Sequence, residues 1–249
     1  MIYTNPIVKA SFISRPNRFV AHVMLNGQEE IVHVKNTGRC RELLVPGATV
    51  YLEDCRHNPG RKTRYSIINV EKGDMLVNMD SQAPNEAVAE GVLSGKIPFI
   101  SKVTNLRREV TFGGSRFDMR VDGLDDGGNP QQGFIEVKGV TLEKDGISAF
   151  PDAPTTRGAR HVLELADAVA QGYQAAVIFL IQMRGPRLFV PHWERDSLFG
   201  KALVEAQQAG VRVLAYDAVV TLDSMQVGRE TPVDLSRNLA LQTVINPWL

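Results

Sequence analysis

Cysteine is nearly absent from this chain, which holds only Cys40 and Cys55. Two thiols make neither a disulfide framework nor a four-ligand zinc site, and their scarcity makes a reducing, cytoplasmic setting the expectation. Long hydrophobic runs are also missing. The best, Ala175 to Ile181, is far short of the ~18–20 residues that cross a bilayer. The N-terminal residues Met1 to Pro6 show no basic stretch followed by an apolar one, so no secretory signal is expected. Repeats and low-complexity segments are absent, and no helix-turn-helix pattern stands out. An excess of one charge is lacking too, since 28 Lys and Arg balance 28 Asp and Glu. With 43% hydrophobic residues among 249, the chain can bury a core and fits one large domain or two modest ones.

The balanced charge is unevenly distributed. Residues 1–72 hold 11 Lys and Arg against 6 Asp and Glu, so the remainder is acidic. The basic part is either an uneven solubilising surface or a module that meets an anion such as nucleic acid. Its pattern is one of short strands and turns: Ile7–Ser14, Arg18–Leu25, Glu29–Lys35, Thr49–Asp54, Tyr65–Val70 and Met75–Asn78. Asn26-Gly27 is a two-residue hairpin signal. Strands of this number and length match a small OB-type barrel in size. Asn36-Thr37-Gly38-Arg39 is a turn by composition. It is either a tight barrel turn or a DNA-contacting loop, with Lys35, Arg39 and Arg41 supplying charge for phosphates.

Beyond residue 80 the pattern changes to α/β. The sequence predicts a helix over Pro84–Ser94, strands over Glu109–Phe112, Ser115–Val121 and Gly133–Leu142, and a helix over Thr156–Gln171. A buried strand over Gln174–Gln182, a helix over Glu194–Ala209 and a strand over Val211–Tyr216 follow; the tail after about residue 223 is weakly patterned. The expected division is 1–80 and 81–249. In Ser115–Asp122, alternation puts Phe117, Met119 and Val121 on one face and Asp118 on the other. In Phe134–Gly139, Glu136 and Lys138 share a face, so a hairpin would let Asp118, Glu136 and Lys138 converge.

Two carboxylates and a lysine have a chemical logic. Carboxylates suit Mg²⁺ or Mn²⁺, the metal activates water and clamps a phosphodiester, and the lysine assists the water or meets phosphate charge. The pattern resembles the PD-(D/E)xK fold of restriction-like nucleases. In that fold an upstream helix offers a further acid, for which Glu90 is better placed in order than Glu86. Arg157, His161 and Glu164 form one stripe of the following helix, which is either a solvated face or the place from which Arg157, Arg160 and His161 contact phosphates.

The motifs Val34–Cys40 with Pro46-Gly47, Ser115–Asp118, Phe134–Leu142, Phe150–Ala153 and Thr156-Arg157-Gly158 with His161 and Glu164-Leu165 occur together in order. On these the chain resembles the sugar fermentation stimulation protein A family. The resemblance implies an N-terminal OB-like domain, a C-terminal nuclease-like domain and DNA binding, the family name coming from a link to maltose metabolism. It implies Asp118, Glu136 and Glu90 as metal-site acids, with Lys138 beside them. The expectation is a DNA-binding protein with a Mg²⁺- or Mn²⁺-dependent phosphodiesterase site. The alternative is a non-catalytic DNA-binding regulator. DNA, of either form, is the expected partner, with no membrane and no small-molecule cofactor.

Overall fold

The computed structural model describes residues 1–36 and 38–246; Thr37 of the predicted turn and residues 247–249 lie outside the described residues. Six strands form the first part: β1 (Ile7–Ser14), β2 (Val20–Leu25), β3 (Gln28–Val34), β4 (Thr49–Asp54), β5 (Tyr65–Lys72) and β6 (Met75–Asn78). Asn26 and Gly27 take the left-handed backbone that a two-residue hairpin demands, with φ of 51° and 79°. β1 pairs with both β2 and β4, β4 pairs with β5, and β5 closes on β3 in parallel. The order β1-β2-β3-β5-β4 returns to β1, so five strands make the closed OB-type barrel. β6 extends β5 beyond it.

The second part opens with α1 (Ala83–Leu93), then β7 (Lys102–Phe112), β8 (Ser115–Leu124), β9 (Pro130–Val140), β10 (Glu143–Lys144) and β11 (Ile147–Phe150). There follow α2 (Thr156–Ala170), β12 (Gln174–Ile181), β13 (Leu188–Pro191), α3 (Ser197–Gln208), β14 (Arg212–Val220), β15 (Met225–Glu230) and α4 (Leu239–Ile245). The main sheet has the order β15-β14-β12-β9-β8-β7. β9, β12 and β14 run parallel, with α2 and α3 as the crossovers. β12 is buried along nearly its whole length, as its unbroken apolar run requires. α2 and α3 pack on one face of the sheet and α1 on the other. β10, β11 and β13 form a separate small sheet.

Several elements depart from expectation: β7 starts at Lys102 and not at Glu109, and the sequence predicts no counterpart of β10, β11 and β13. The tail is structured, with β15 completing the sheet edge and α4 covering the small sheet. The strand face expected to hold Phe117, Met119 and Val121 together is also broken. Glu109, opposite Asp118 in the β7–β8 ladder, has φ of 58°, an uncommon state for a non-glycine residue. Across that break Phe117 turns to the α2 side, its ring 5.5 Å from Phe134, while Met119 and Val121 pack with α1.

The two parts share their cores. One apolar cluster runs from barrel residues such as Phe12, Val34 and Leu52 to Phe134, Val162 and Phe199. A second joins Tyr3 and Ile68 to α1 and the sheet. No helix among the described residues is long and apolar enough to cross a membrane.

Candidate functional site

The site forms where β8 and β9 part. Their ladder ends at Met119↔Ile135, so the Val137 N–H has no strand partner there and donates instead to Asp118 Oδ2 at 2.7 Å. Asn85 of α1 donates to the other carboxylate oxygen, also at 2.7 Å. Glu136 projects toward α2. Its Oε1 accepts from Lys138 Nζ at 2.6 Å and from His161 Nδ1 at 2.8 Å. Arg157 Nε lies 3.3 Å from His161 Nε2. Because a guanidinium only donates, Nε2 must accept, which leaves the ring proton on Nδ1 to be given to Glu136. The chain Arg157–His161–Glu136–Lys138 is thus fixed in direction.

These groups line one cleft of about 490 Å³, whose rim carries an ion pair between Arg116 and Glu109. Burial, followed by the nearby charge of Glu136, pushes the Asp118 carboxyl above its ordinary range. Glu136 Oε2 is buried and has no hydrogen-bond partner. Such an oxygen beside a second carboxylate fits a divalent cation, which would both satisfy the orphan and relieve the repulsion. Among the described residues no group of three or more His, Cys, Asp and Glu is arranged to hold a metal. Mg²⁺, however, commonly takes only one or two carboxylates and completes its shell with water and phosphate.

Local packing explains the glycines in the motifs. A Cβ on Gly139 would stand 2.5 Å from Gln182 Oε1, and one on Gly158 would stand 2.7 Å from Thr155 Oγ1. Thr155 caps α2 by accepting from the Gly158 N–H at 3.0 Å. Asp196 accepts from the Thr155 N–H at 2.7 Å and from the Phe199 N–H at 2.9 Å, which ties the starts of α2 and α3 together.

The structure brings together Asp118, Glu136, Lys138, Arg157 and His161, but not all of the expected residues. Glu90 is a correction: it pairs with the Met1 ammonium and does not line the cleft. Asn85, five residues earlier on α1, stands beside Asp118 in its place. Lys35 is a second correction. Its ammonium sits between Glu53 at 2.7 Å and Asp80 at 3.0 Å, with the side chain only 19% exposed, so it is spent inside the protein and does not face phosphates. Arg160 lies along α2 toward Glu164 at 3.7 Å and stays outside the cleft. Arg39 and Arg41 line cavities on the barrel side, and no ion pair engages them among the described residues. Sequence reasoning missed Asn85, whose only signal was its place in the first turn of a helix, and Arg15. The Arg15 guanidinium donates to the carbonyls of Arg18, Asn36, Gly38 and Arg39 and so ties these described residues together.

Comparison with known proteins agrees with this architecture. Residues 13–79 match the model of the SfsA N-terminal OB domain. Residues 82–224 match that of the sugar fermentation stimulation protein RE domain, so the second part is restriction-endonuclease-like. A sugar fermentation stimulation protein homolog of Alkaliphilus oremlandii is 56% identical over 228 residues, covering 92% of this chain and 97% of the relative. One from Clostridium botulinum is 48% identical, covering 94% of this chain and 100% of the relative. A solved structure described as Pyrococcus furiosus SfsA in complex with Ca²⁺ superposes with a TM-score of 0.81 at 26% identity, covering 93% of this chain and 97% of that one. With matches of this extent across both domains, the chain belongs to the sugar fermentation stimulation protein family.

Proposed function

We propose that this protein binds DNA and hydrolyses phosphodiester bonds at the Asp118–Glu136–Lys138 cleft, with Mg²⁺ or Mn²⁺ as its metal. The observation that carries this reading is the buried, unpartnered Glu136 Oε2 beside a carboxylate whose own ionisation it disfavours. Asp118 and Glu136 are the residues that would hold the ion. A bound metal would supply an activated water and stabilise charge on the phosphate oxygens. The Pyrococcus furiosus relative is described as a complex with Ca²⁺, which is consistent with a cation site in the family fold.

The protein's own groups have separable tasks. Asn85 and the Val137 N–H orient Asp118, and His161 orients Glu136. Lys138, 17% exposed, presents its remaining N–H donors to the cleft. Arg157, held through His161, offers its outer guanidinium nitrogens to a phosphate. Arg39 and Arg41 supply further positive charge on the barrel side. The two buried free thiols, Cys40 and Cys55, accord with a cytoplasmic setting.

The test is a panel of DNA and RNA forms incubated with Mg²⁺ or Mn²⁺. Cleavage by the wild-type chain that disappears in both Asp118→Ala and Lys138→Ala supports the reading. Cleavage that survives both substitutions overturns the site assignment. Binding with no cleavage under any metal overturns the enzymatic part and leaves a DNA-binding regulator.

A further inference from the structure

Four cavities adjoin in series across the junction of the two domains. The acid cleft shares Ser81 and Thr155 with a second cavity of about 240 Å³, walled by Asn36 on the barrel side and by Thr141 and Phe150 on the other. That second cavity shares Asp152 with a third of about 270 Å³, and Gly38 with a fourth of about 530 Å³. Arg39 and Arg41 line both the third and the fourth, joined by Arg195 in one and Arg18 in the other. None of these four arginines has an ion-pair partner among the described residues. The result is a trough with cations at each end, Lys138 and Arg157 at one and the arginines at the other. Its middle has no Lys or Arg in its wall.

We propose that one strand of nucleic acid lies along this trough, crossing from the acid cleft, past Asn36 and Gly38, to Arg39 and Arg41. The proposal rests on the phosphodiesterase reading and adds to it the substrate class, a single strand. A duplex presents a phosphate about every 1.7 Å of its axis and calls for positive charge along its track. The middle cavity, whose one charged side chain is the Asp152 carboxylate that accepts from the Arg39 N–H at 3.1 Å, instead offers polar and aromatic groups, Asn36, Thr141 and the half-buried Phe150, to a base and sugar. Contacts of that kind need bases freed from a partner strand. The Arg15 clamp on the Asn36 and Gly38 carbonyls keeps the barrel-side wall in place before the strand arrives.

The test is fluorescence anisotropy with labelled oligo-dT of 3, 6 and 12 nucleotides and a 12-base-pair duplex, with EDTA and with Ca²⁺. Affinity for single strands should rise with length, and the duplex should bind at least about tenfold more weakly than the 12-mer. Ser81→Trp, placed on the wall shared by the first two cavities, should abolish the gain of the 12-mer over the 3-mer. Arg39→Ala/Arg41→Ala should flatten the log K against log[salt] slope by about 1.4, at ~0.7 per contact on single strands. This variant keeps the test open should Ser81→Trp fail to fold. Equal affinity for duplex and single strand, unaltered by either variant, overturns the trough while leaving a nucleic-acid-binding protein. Failure of every oligonucleotide to bind instead removes the underlying reading.

Discussion

Replacing Lys35 with Met should cost the protein a large part of its stability without weakening the DNA binding proposed above. The ammonium lies between two carboxylates, Glu53 and Asp80, that are only 10% and 5% exposed, and it stands 5.4 Å from the centre of the Tyr3 ring. Burial pulls the Lys35 pKa down, but Asp80 and Glu53 outweigh it and the net shift is upward. Burial pushes Glu53 up, yet hydrogen bonds from Lys35 and Asn5 together with the Lys35 charge bring it below its ordinary 4.5. Removing the cation strands both acids, a change that costs about 3–5 kcal/mol for buried pairs. In a chain of this length that corresponds to a fall in Tm of roughly 6–20 °C.

The pH dependence has a defined sign. The depressed Glu53 contributes stability above its ordinary pKa and loses it as pH falls through the folded value. The raised Lys35 contributes below its ordinary pKa and loses it as pH rises through the folded value. The difference in Tm between wild type and Lys35→Met should therefore be flat from about pH 5 to about pH 10 and shrink outside those limits. Thermal melts measure this. The triple variant Lys35→Met/Glu53→Gln/Asp80→Asn should recover most of the loss, since no unpaired charge is left buried. A Lys35→Met protein that melts within about 2 °C of wild type while its DNA-binding salt slope falls by about 1 would refute the reasoning, because that is how a free phosphate ligand behaves.

Asp118→Asn should remove the proposed cleavage yet raise the stability of the metal-free chain by about 0.5–2 kcal/mol near pH 7. The amide ends the repulsion with Glu136, and a flip of the Asn85 amide keeps both hydrogen bonds. Because the wild-type carboxyl is raised above 3.8, the native state takes up its proton first as pH falls. The advantage of the neutral amide should therefore vanish in paired melts once the pH drops to about 4. Asp196→Ala should lower stability by about 2–4 kcal/mol in guanidinium unfolding, because two helix-start N–H groups lose one shared acceptor.

Local rules in the sequence located most of the barrel. β1, β4 and β6 have the bounds that alternation and turn residues suggest, and Asn26-Gly27 takes the backbone its residue types favour. α2 and β12 are equally legible, one from its helical stripe and the other from its apolar run. The failures are non-local. Lys35 looks like any turn-flanking cation until the fold brings Asp80 from 45 residues away. Glu90 and Asn85 differ in role only through the rotation of α1 over the sheet. Met225–Glu230 has no strong pattern of its own and becomes a strand because β14 offers it an edge. The break in alternation at Asp118 depends on Glu109, nine residues earlier on a neighbouring strand. That break lies where the candidate site needs a strand residue turned out of the regular pleat, and periodicity has no means of signalling it.

The apolar clusters that run through both domains bind their fates. A chain cut near residue 80 would present to water the barrel side chains that now pack on the nuclease-like part, and the reverse. Neither half is a portable module in the way that tethered domains are. Insertions or exchanges of one half must preserve the contour of the other, so change in this architecture is confined to loops away from the seam, such as Asp125–Asn129.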